Sequence, residues 1–503
     1  MAQCIKLKSD GLKPLRSVDK CLMSYNIEMT EVTGGTFWKA YTPGQIAGTE
    51  EFPPIRGFEE MAGLMQWYDP IDTTNPRLRA LAKAFGSVWI RVSGTWATKT
   101  YYDFDGHTGG KAPEGYQSVL TRQQWLNLLD FVRAVGGKLL VSVNNCPGLH
   151  KASEPWNPSQ AQLLFGLSKE YGVPIDAAEF MNEPNIMETS GAPVGYTAAD
   201  YARDQDLFYG WVRENYPQCL IVGPCTIDSG AVSMGPDDAK GGAGIGDAMK
   251  SCSTDDLMRG TKVPLDVFSY HYYNGISERL ASVMPAAHWQ PQEAHTENYL
   301  AMAGRCARAF APYRDKYCPG GQMWVTESGD AGGGGDTWAS TYLDVLRTLN
   351  ELGEFATVTD GVIFHNTLAS SDYGFLKHGT FEPRPNYFAA LLWTHLMGTT
   401  VYDSGIPIAE GAHVYCHSRK DGKDGVVYLI INNSLTETTT VELPREAERY
   451  TLCGNGNMRS AVMYLNGRPL TLGEKDELPC LGGERQNAGE VKLAPGSCTF
   501  FVM

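Results

Sequence analysis

Eight short apolar runs, rich in β-branched residues, recur through the first three quarters of the chain. They are 22–29 (LMSYNIEM), 87–94 (SVWIRVSG), 138–145 (KLLVSVNN), 177–185 (AAEFMNEPN), 220–225 (LIVGPC), 266–273 (DVFSYHYY), 322–329 (QMWVTESG) and 360–366 (DGVIFHN). Each is a continuous apolar run rather than an alternating one, the pattern of a strand covered on both faces. Helical patterns lie between most of them, at 75–86, 122–136, 158–172, 197–216, 298–317 and 336–353. Several of these begin on Asn-Pro, Thr or Asp and several end in Gly. This alternation predicts an α/β fold, a parallel sheet closed into a (β/α)8 TIM barrel. The helical signal is poorest after the fifth run. Two long connections, 30–74 and 226–265, are rich in Gly, Pro and polar residues, as functional or disordered loops are.

After residue 400 the texture becomes alternating, with Gly-Lys-Asp-Gly at a turn, which predicts a C-terminal antiparallel β-sandwich. The expected division is a barrel over 21–395 and a sandwich over 396–503, completed by a strand from 1–20. A chain of 503 residues suits one large domain and one smaller one. The formal charge of −15 repels polyanions and gives no footprint for nucleic acid. No apolar run approaches the roughly 18 residues of a membrane helix, so no membrane partner is expected. The opening MAQCIKLKSDGLKPL lacks the apolar segment of a signal peptide. The 12 Cys are scattered, without a CxxC pair or zinc-site spacing. Reduced thiols and no metal follow as expectations. A cytoplasmic location is favoured, and a secreted one is left open.

Barrel chemistry sits at the C-terminal ends of the strands. The fourth run ends in FMNEPN with Glu183, and the seventh, MWVTESG, ends with Glu327. Either glutamate alone reads as a solvated turn residue. As a pair at one mouth they are the apparatus of glycoside hydrolysis, with retention of configuration if they lie about 5–5.5 Å apart. Glu183 is then the general acid/base, which requires partial desolvation and no close cation. Glu327 is the nucleophile. Arg91 and Tyr272 are candidates to hydrogen-bond it; the plainer alternatives are an internal ion pair of Arg91 with Glu179 and core packing for Tyr272. Asn182 is a candidate for the sugar 2-hydroxyl. The chemistry needs only carboxyls and water, so no cofactor is expected. A non-catalytic carbohydrate-binding protein would need one carboxylate missing, and both are present.

The ordered set of motifs resembles glycoside hydrolase family 79, the heparanase and β-glucuronidase family, within the clan A retaining glycosidases. The resemblance rests on NPRLRALAKAFGSVWIRVSGT, NPSQAQLLFGLSKEYG with FMNEPN, YHYYNG, TESGDAGGGG, and the tail SAVMYLNGRPLTLGEKDELPCLGG to LAPGSCTFFVM. It runs from about residue 20 to the end. It implies a retaining hydrolase with a partner carbohydrate containing β-linked glucuronic acid. By position it implies that Glu28 and Thr95 contact sugar. Gly333 and Gly334 match a loop whose backbone approaches the substrate, and Tyr373 matches a tyrosine that helps hold the uronic carboxylate. Heparanase carries a linker that is excised on maturation; here that place holds only YYDFDGHTGGKAPEGYQS, so a single unprocessed chain is expected. The loop PCTIDSGAVSMGPDDAKGG is mildly acidic, without a basic cluster. With the negative net charge, this favours an exo-β-glucuronidase over an endo-acting, heparanase-like enzyme. A related exo-glycosidase with another sugar preference is the third alternative.

Overall fold

The structure, a computed structural model, describes residues 4–227, 234–239 and 251–503. Its centre is a closed barrel of eight parallel strands. These are β1 (Met23–Glu28), β2 (Trp89–Ser93), β3 (Lys138–Ser142), β4 (Ala177–Glu179), β5 (Leu220–Thr226), β6 (Val267–Ile276), β7 (Gln322–Gly332) and β8 (Ile363–His365). Each apolar run supplies one strand. The strands are buried almost end to end because helices cover their outer face and side chains fill the interior. Trp89, Leu140, Val222, Val267, Trp324 and Phe364 belong to one buried cluster that closes the floor of the barrel. The interior is therefore packed below, and any site lies above, at the C-terminal ends of the strands.

The helices that alternate with the barrel strands are α1 (Pro76–Ala84), α2 (Arg122–Val135), α3 (Ala161–Glu170), α4 (Ala198–Asn215), α5 (Thr254–Met258), α6 (Met302–Tyr317), α7 (Leu343–Val358) and α8 (Pro385–Leu396). Their ends follow from local chemistry. Asn75 caps α1 by accepting from the N–H groups of Arg77 and Leu78, with Pro76 in the first turn, where no donor is required. The pairs Thr121/Gln124 and Thr197/Asp200 form capping boxes on α2 and α4. Gly136 closes α2 in the left-handed region at φ 76°. After β5 the helix has five residues, in line with the weak signal there.

The connection 30–74 holds a β-hairpin, Gly35–Trp38 with Met65–Tyr68, and the short helix Pro43–Ala47. The acidic loop 224–242 lies in part outside the described residues.

The C-terminal part is a β-sandwich. Its larger sheet contains β9 (Met397–Asp403), β10 (His413–Arg419), β11 (Val426–Ile431), β13 (Ala447–Cys453) and β15 (Cys498–Val502), antiparallel, with the strand Lys13–Ser17 on the edge at β9. The smaller sheet pairs β12 (Thr439–Leu443) with β14 (Gly489–Leu493), and Ile5–Lys6 runs parallel to β12. Tyr428, Ile430, Val441, Val491 and Phe501 pack between the sheets. The other face of the larger sheet rests on α7. There Tyr415 donates to Asn350, and Tyr342 donates to the carbonyls of Leu452 and Gly496. That helix is buried from Leu343 to Ala356; Arg347 bonds both Asp344 and Glu351 within it, and Glu354 accepts from Tyr415 of the sheet.

Candidate active site

Strand parity decides which side chains enter the barrel. On β6, Ser269 reaches Glu179 inside, whereas Tyr270 and Tyr272 point outward onto Phe310 of α6 and Phe355 of α7. His271 and Tyr273 therefore face inward. On β7, Trp324 faces the floor, so strict alternation would turn Glu327 outward. The register prevents this. Tyr270 pairs with Val325 and His271 with Glu327, leaving Thr326 as an extra residue. This β-bulge reverses the parity and aims Glu327 into the pocket.

Glu183 reaches the same place by another device. β4 ends at Glu179, and Glu183 sits at φ 45°, ψ 58°, the left-handed region, before the turn Pro184–Ile186. A non-glycine residue there costs about 1–2 kcal/mol. Ser190 Oγ and the Ile186 N–H both donate to the Glu183 carbonyl and hold the turn. The sequence reading put both carboxylates at strand ends. The structure corrects that: one stands on a strained turn beyond its strand, the other on a bulge inside its strand.

Arg91 wires the floor of the site. Its Nε donates to Glu179 Oε2 at 2.8 Å, Nη1 to Glu327 Oε2 at 3.1 Å and Nη2 to Asn182 Oδ1 at 2.9 Å. Both sequence readings of Arg91 therefore hold in one side chain. Nη2 also lies 3.2 Å from His271 Nε2. A guanidinium only donates, so Nε2 accepts and Nδ1 carries the proton, donating to Glu183 Oε1 at 3.0 Å. Burial pushes His271 down to about 4, with Arg91 adding to that and Glu327 opposing it; the ring is neutral. Burial pushes the Glu183 carboxyl up to about 7, against the opposing pull of Arg91. Glu183, His271 and Glu327 each offer an atom within 4.8 Å of the others. The trio does not suit a metal: Arg91 occupies one side of Glu327, and the ring nitrogen of His271 facing the carboxylates carries a hydrogen.

Tyr273 donates its hydroxyl to Glu327 Oε1 at 2.5 Å. Tyr272 is thereby corrected: its hydroxyl bonds Asn274 Oδ1 behind the strand at 2.5 Å, and parity keeps it out of the pocket. Asn366, just past β8, donates to Glu28 Oε1, to the Tyr273 and Tyr373 hydroxyls and, at 3.5 Å, to Glu327 Oε1. Tyr373 also stacks on Tyr273, with ring centroids 6.3 Å apart. The amide thus ties Glu28, Tyr373 and Glu327 together. Glu28 Oε2 is buried without a hydrogen-bond partner. Burial first, then the charges of Glu327 and Glu31, hold the Glu28 carboxyl well above the usual range. Gly94, at φ +92°, makes room for it, since a Cβ there would stand 1.6 Å from Glu28 Oε2. Thr95 follows, half-buried, on the same turn.

The Gly-rich loop leaves β7 with its carbonyls turned into the wall. Gly332 O accepts from the Ser277 N–H, and Gly333 O from Ser277 Oγ and Arg279 Nη1. Gly334 O accepts from Ser371 Oγ and the Asp372 N–H. A trans peptide directs its N–H opposite to its C=O. The N–H groups of Gly333 and Gly334 therefore point away from residues 277–279. Both glycines have φ +92°.

The structure brings together Glu183, Glu327, Arg91, Asn182, Glu28 and Tyr373. Sequence reasoning missed His271, Tyr273 and Asn366. Asn366 closes the eighth apolar run, so the rule that strand ends carry chemistry could have found it.

No family model matches the chain. Among curated proteins it is 24% identical over 486 residues to heparanase-like protein 1 of Arabidopsis thaliana, covering 86% of this chain and 85% of that one. It is 24% identical over 477 residues to the hyaluronoglucuronidase of Hirudo nipponia, covering 86% and 90%. It is 31% identical over 185 residues to the baicalin-β-D-glucuronidase of Scutellaria baicalensis, covering 35% of each. Over most of its length the chain is thus similar to proteins named heparanase-like protein and hyaluronoglucuronidase. It is a glycoside hydrolase. The fold is shared with a 4-O-α-L-rhamnosyl-β-D-glucuronidase from Fusarium oxysporum 12S, with TM-score 0.66, 12% identity and full coverage of both chains. It is also shared with the GH51 α-L-arabinofuranosidase of Thermotoga petrophila RKU-1, with TM-score 0.59, 14% identity and 98% of each chain.

The correction at β6 gives a paired prediction. Tyr273→Phe removes the hydroxyl that donates to Glu327 and is expected to lower kcat/KM about 10- to 100-fold, the loss of one charge-assisted hydrogen bond. Tyr272→Phe is expected to leave kcat/KM within about twofold and to cost about 1 kcal/mol of stability. Steady-state rates and a thermal melt of both variants check this; equal kinetic losses would remove the parity argument.

Proposed function

We propose that the chain is a retaining exo-β-glucuronidase that releases terminal β-linked glucuronic acid from glycans or glycoconjugates by double displacement. The observation that carries this reading is the carboxyl pair, whose oxygens approach within 4.8 Å. That spacing suits a nucleophile and an acid/base; an inverting pair needs about 6.5–9.5 Å to admit a water. In the first step Glu327 attacks the anomeric carbon while Glu183 gives its proton to the leaving oxygen. In the second, Glu183 takes a proton from the water that opens the glycosyl-enzyme. Arg91 and Tyr273 orient Glu327. The oxygen of Asn182 is held by Arg91, which leaves its NH2 to meet the sugar 2-hydroxyl. The unpartnered Glu28 Oε2 takes a donor from another hydroxyl, the role matched to it by resemblance.

Two features support a uronic acid at this site. The N–H groups of Gly333 and Gly334 form an anion-accepting turn that no side chain longer than glycine could present at these φ values. Tyr373 borders the same space. The exo reading is supported by the hairpin from the 30–74 connection. Trp38 stands against Gly334, since a Cβ on that glycine would lie 2.7 Å from Trp38 Cβ, and this walls one side of the mouth. The alternative is an endo-β-glucuronidase on a uronic-acid-containing polysaccharide. It is favoured by the relatives aligned over most of their length, which are named heparanase-like protein and hyaluronoglucuronidase.

The test is hydrolysis of p-nitrophenyl β-D-glucuronide beside the matching β-glucoside, with NMR of the first-formed sugar. Release from the glucuronide alone, as the β-anomer, is the expected result. Chain shortening of heparan or hyaluronan without release from the aryl glucuronide would transfer the assignment to the endo enzyme. An α-anomer product would overturn the retaining mechanism.

A further inference from the structure

An enzyme that reads a carboxylate commonly meets it with a guanidinium. Arg279, in the short turn Glu278–Leu280 after β6, lies behind the Gly-rich loop, yet its side chain is fully committed elsewhere. Nε and Nη2 donate to Lys39 O at 3.1 and 2.7 Å. Nη2 also bonds Asp372 Oδ2 at 2.5 Å. Nη1 donates to Gly333 O at 3.2 Å and to Gly335 O at 2.8 Å. All five N–H donors are thereby used. The plane lies 3.7 Å from the centre of the Tyr41 ring, and Tyr41 donates its own hydroxyl to Gly335 O. Asp372, which anchors the guanidinium, also donates its backbone N–H to Gly334 O and accepts from the Tyr41 N–H.

We propose that Arg279 is the positioning residue that gives the Gly333–Gly334 turn its preference for a carboxylate. It does so without touching substrate, by holding the Gly333 carbonyl outward so that the Gly334 N–H, in the same peptide plane, faces the sugar's C5 substituent beside the Gly333 N–H, which the Ser277 N–H sets through Gly332 O. The inference rests on the glucuronidase reading above. A peptide is planar, so the groups that fix the Gly333 carbonyl fix the N–H of Gly334. Glycine at φ +92° has no side chain to hold it there, and the wall must supply the restraint. Lysine could not substitute, because a single ammonium cannot span the carbonyls of Lys39, Gly333 and Gly335 and the Asp372 carboxylate as the planar fork does.

The test compares wild type, Ser277→Ala and Arg279→Met on p-nitrophenyl β-D-glucuronide and on the neutral β-D-glucuronamide. Ser277→Ala deletes one donor to Gly333 O, keeps the Arg279 charge, and serves if Arg279→Met fails to fold. Loss of alignment affects a contact made in ground and transition state alike, so it raises KM and spares kcat. Ser277→Ala is expected to raise KM for the glucuronide about tenfold, the value of one N–H bond to a charged acceptor, with kcat within about twofold. Arg279→Met is expected to raise it about 100-fold by the same argument. KM for the neutral amide should rise less in both. Equal rises for the charged and neutral substrates, an unchanged KM, or a fall in kcat alone would each overturn the positioning role. Wild-type enzyme that cleaves only neutral glycosides would overturn the glucuronidase reading itself, and this inference with it.

Discussion

Glu327→Ala is expected to lower kcat on an aryl glucuronide about 10⁴-fold or more, because no covalent intermediate can then form. The cavity left on β7 opens beside Arg91 and Tyr273, which stay in place. Added azide should enter that space from the face Glu327 held and restore glycosyl transfer. The product would be the α-glucuronosyl azide, inverted relative to the substrate, and NMR identifies it. Rescue that gave the β-azide would mean that Glu327 is not the group that attacks.

Glu183→Gln should split its effects by leaving group. A p-nitrophenolate needs little protonation, so its release should fall least, whereas a sugar or alkyl leaving group should slow about 10²- to 10⁴-fold. The pH profile follows from the raised carboxyl. In wild type, kcat/KM should fall as pH rises through about 7, where Glu183 loses the proton it must give. Stability runs the same way. A carboxyl with a folded pKa of about 7 and an unfolded one near 4.5 binds its proton more tightly in the fold. Stability is then highest below the lower value, declines as pH rises between the two, and is fully penalised above about 7. Each tenfold gain in proton affinity on folding is worth about 1.4 kcal/mol, so the penalty is of order 3 kcal/mol. Glu183→Gln should therefore melt higher than wild type at pH 8 and much like it at pH 4. A variant no more stable at pH 8 would show that burial of this carboxyl costs nothing.

The barrel was legible because its strands are covered on both faces and so read as unbroken apolar runs. α8 was not, since Pro385–Trp393 is buried throughout and carries no polar stripe to betray its period. The two carboxylates were legible as residue types in a recognisable setting, but their geometry was not. Glu327 faces inward only because Thr326 is an extra residue in β7, and no alternation pattern announces a bulge. Glu183 adopts a left-handed conformation that glutamate rarely takes. The choice of Tyr272 over Tyr273 failed for the same reason: adjacent tyrosines are indistinguishable until parity is known. The Asn366 contacts join β1, β6, β7 and the loop after β8, and only closure of the barrel brings these together.

The strand Lys13–Ser17 and its neighbours belong to the sheets built by the last hundred residues. The Lys8 N–H meets the Tyr428 hydroxyl across 420 residues of sequence. On a ribosome adding roughly 5–20 residues per second, that first segment waits on the order of 20–80 s for its partners. The barrel can assemble meanwhile, but the sandwich cannot be finished as a separate late module. A nascent chain stalled near residue 395 would carry a completed barrel trailing an unpaired edge strand, open to pairing with other chains.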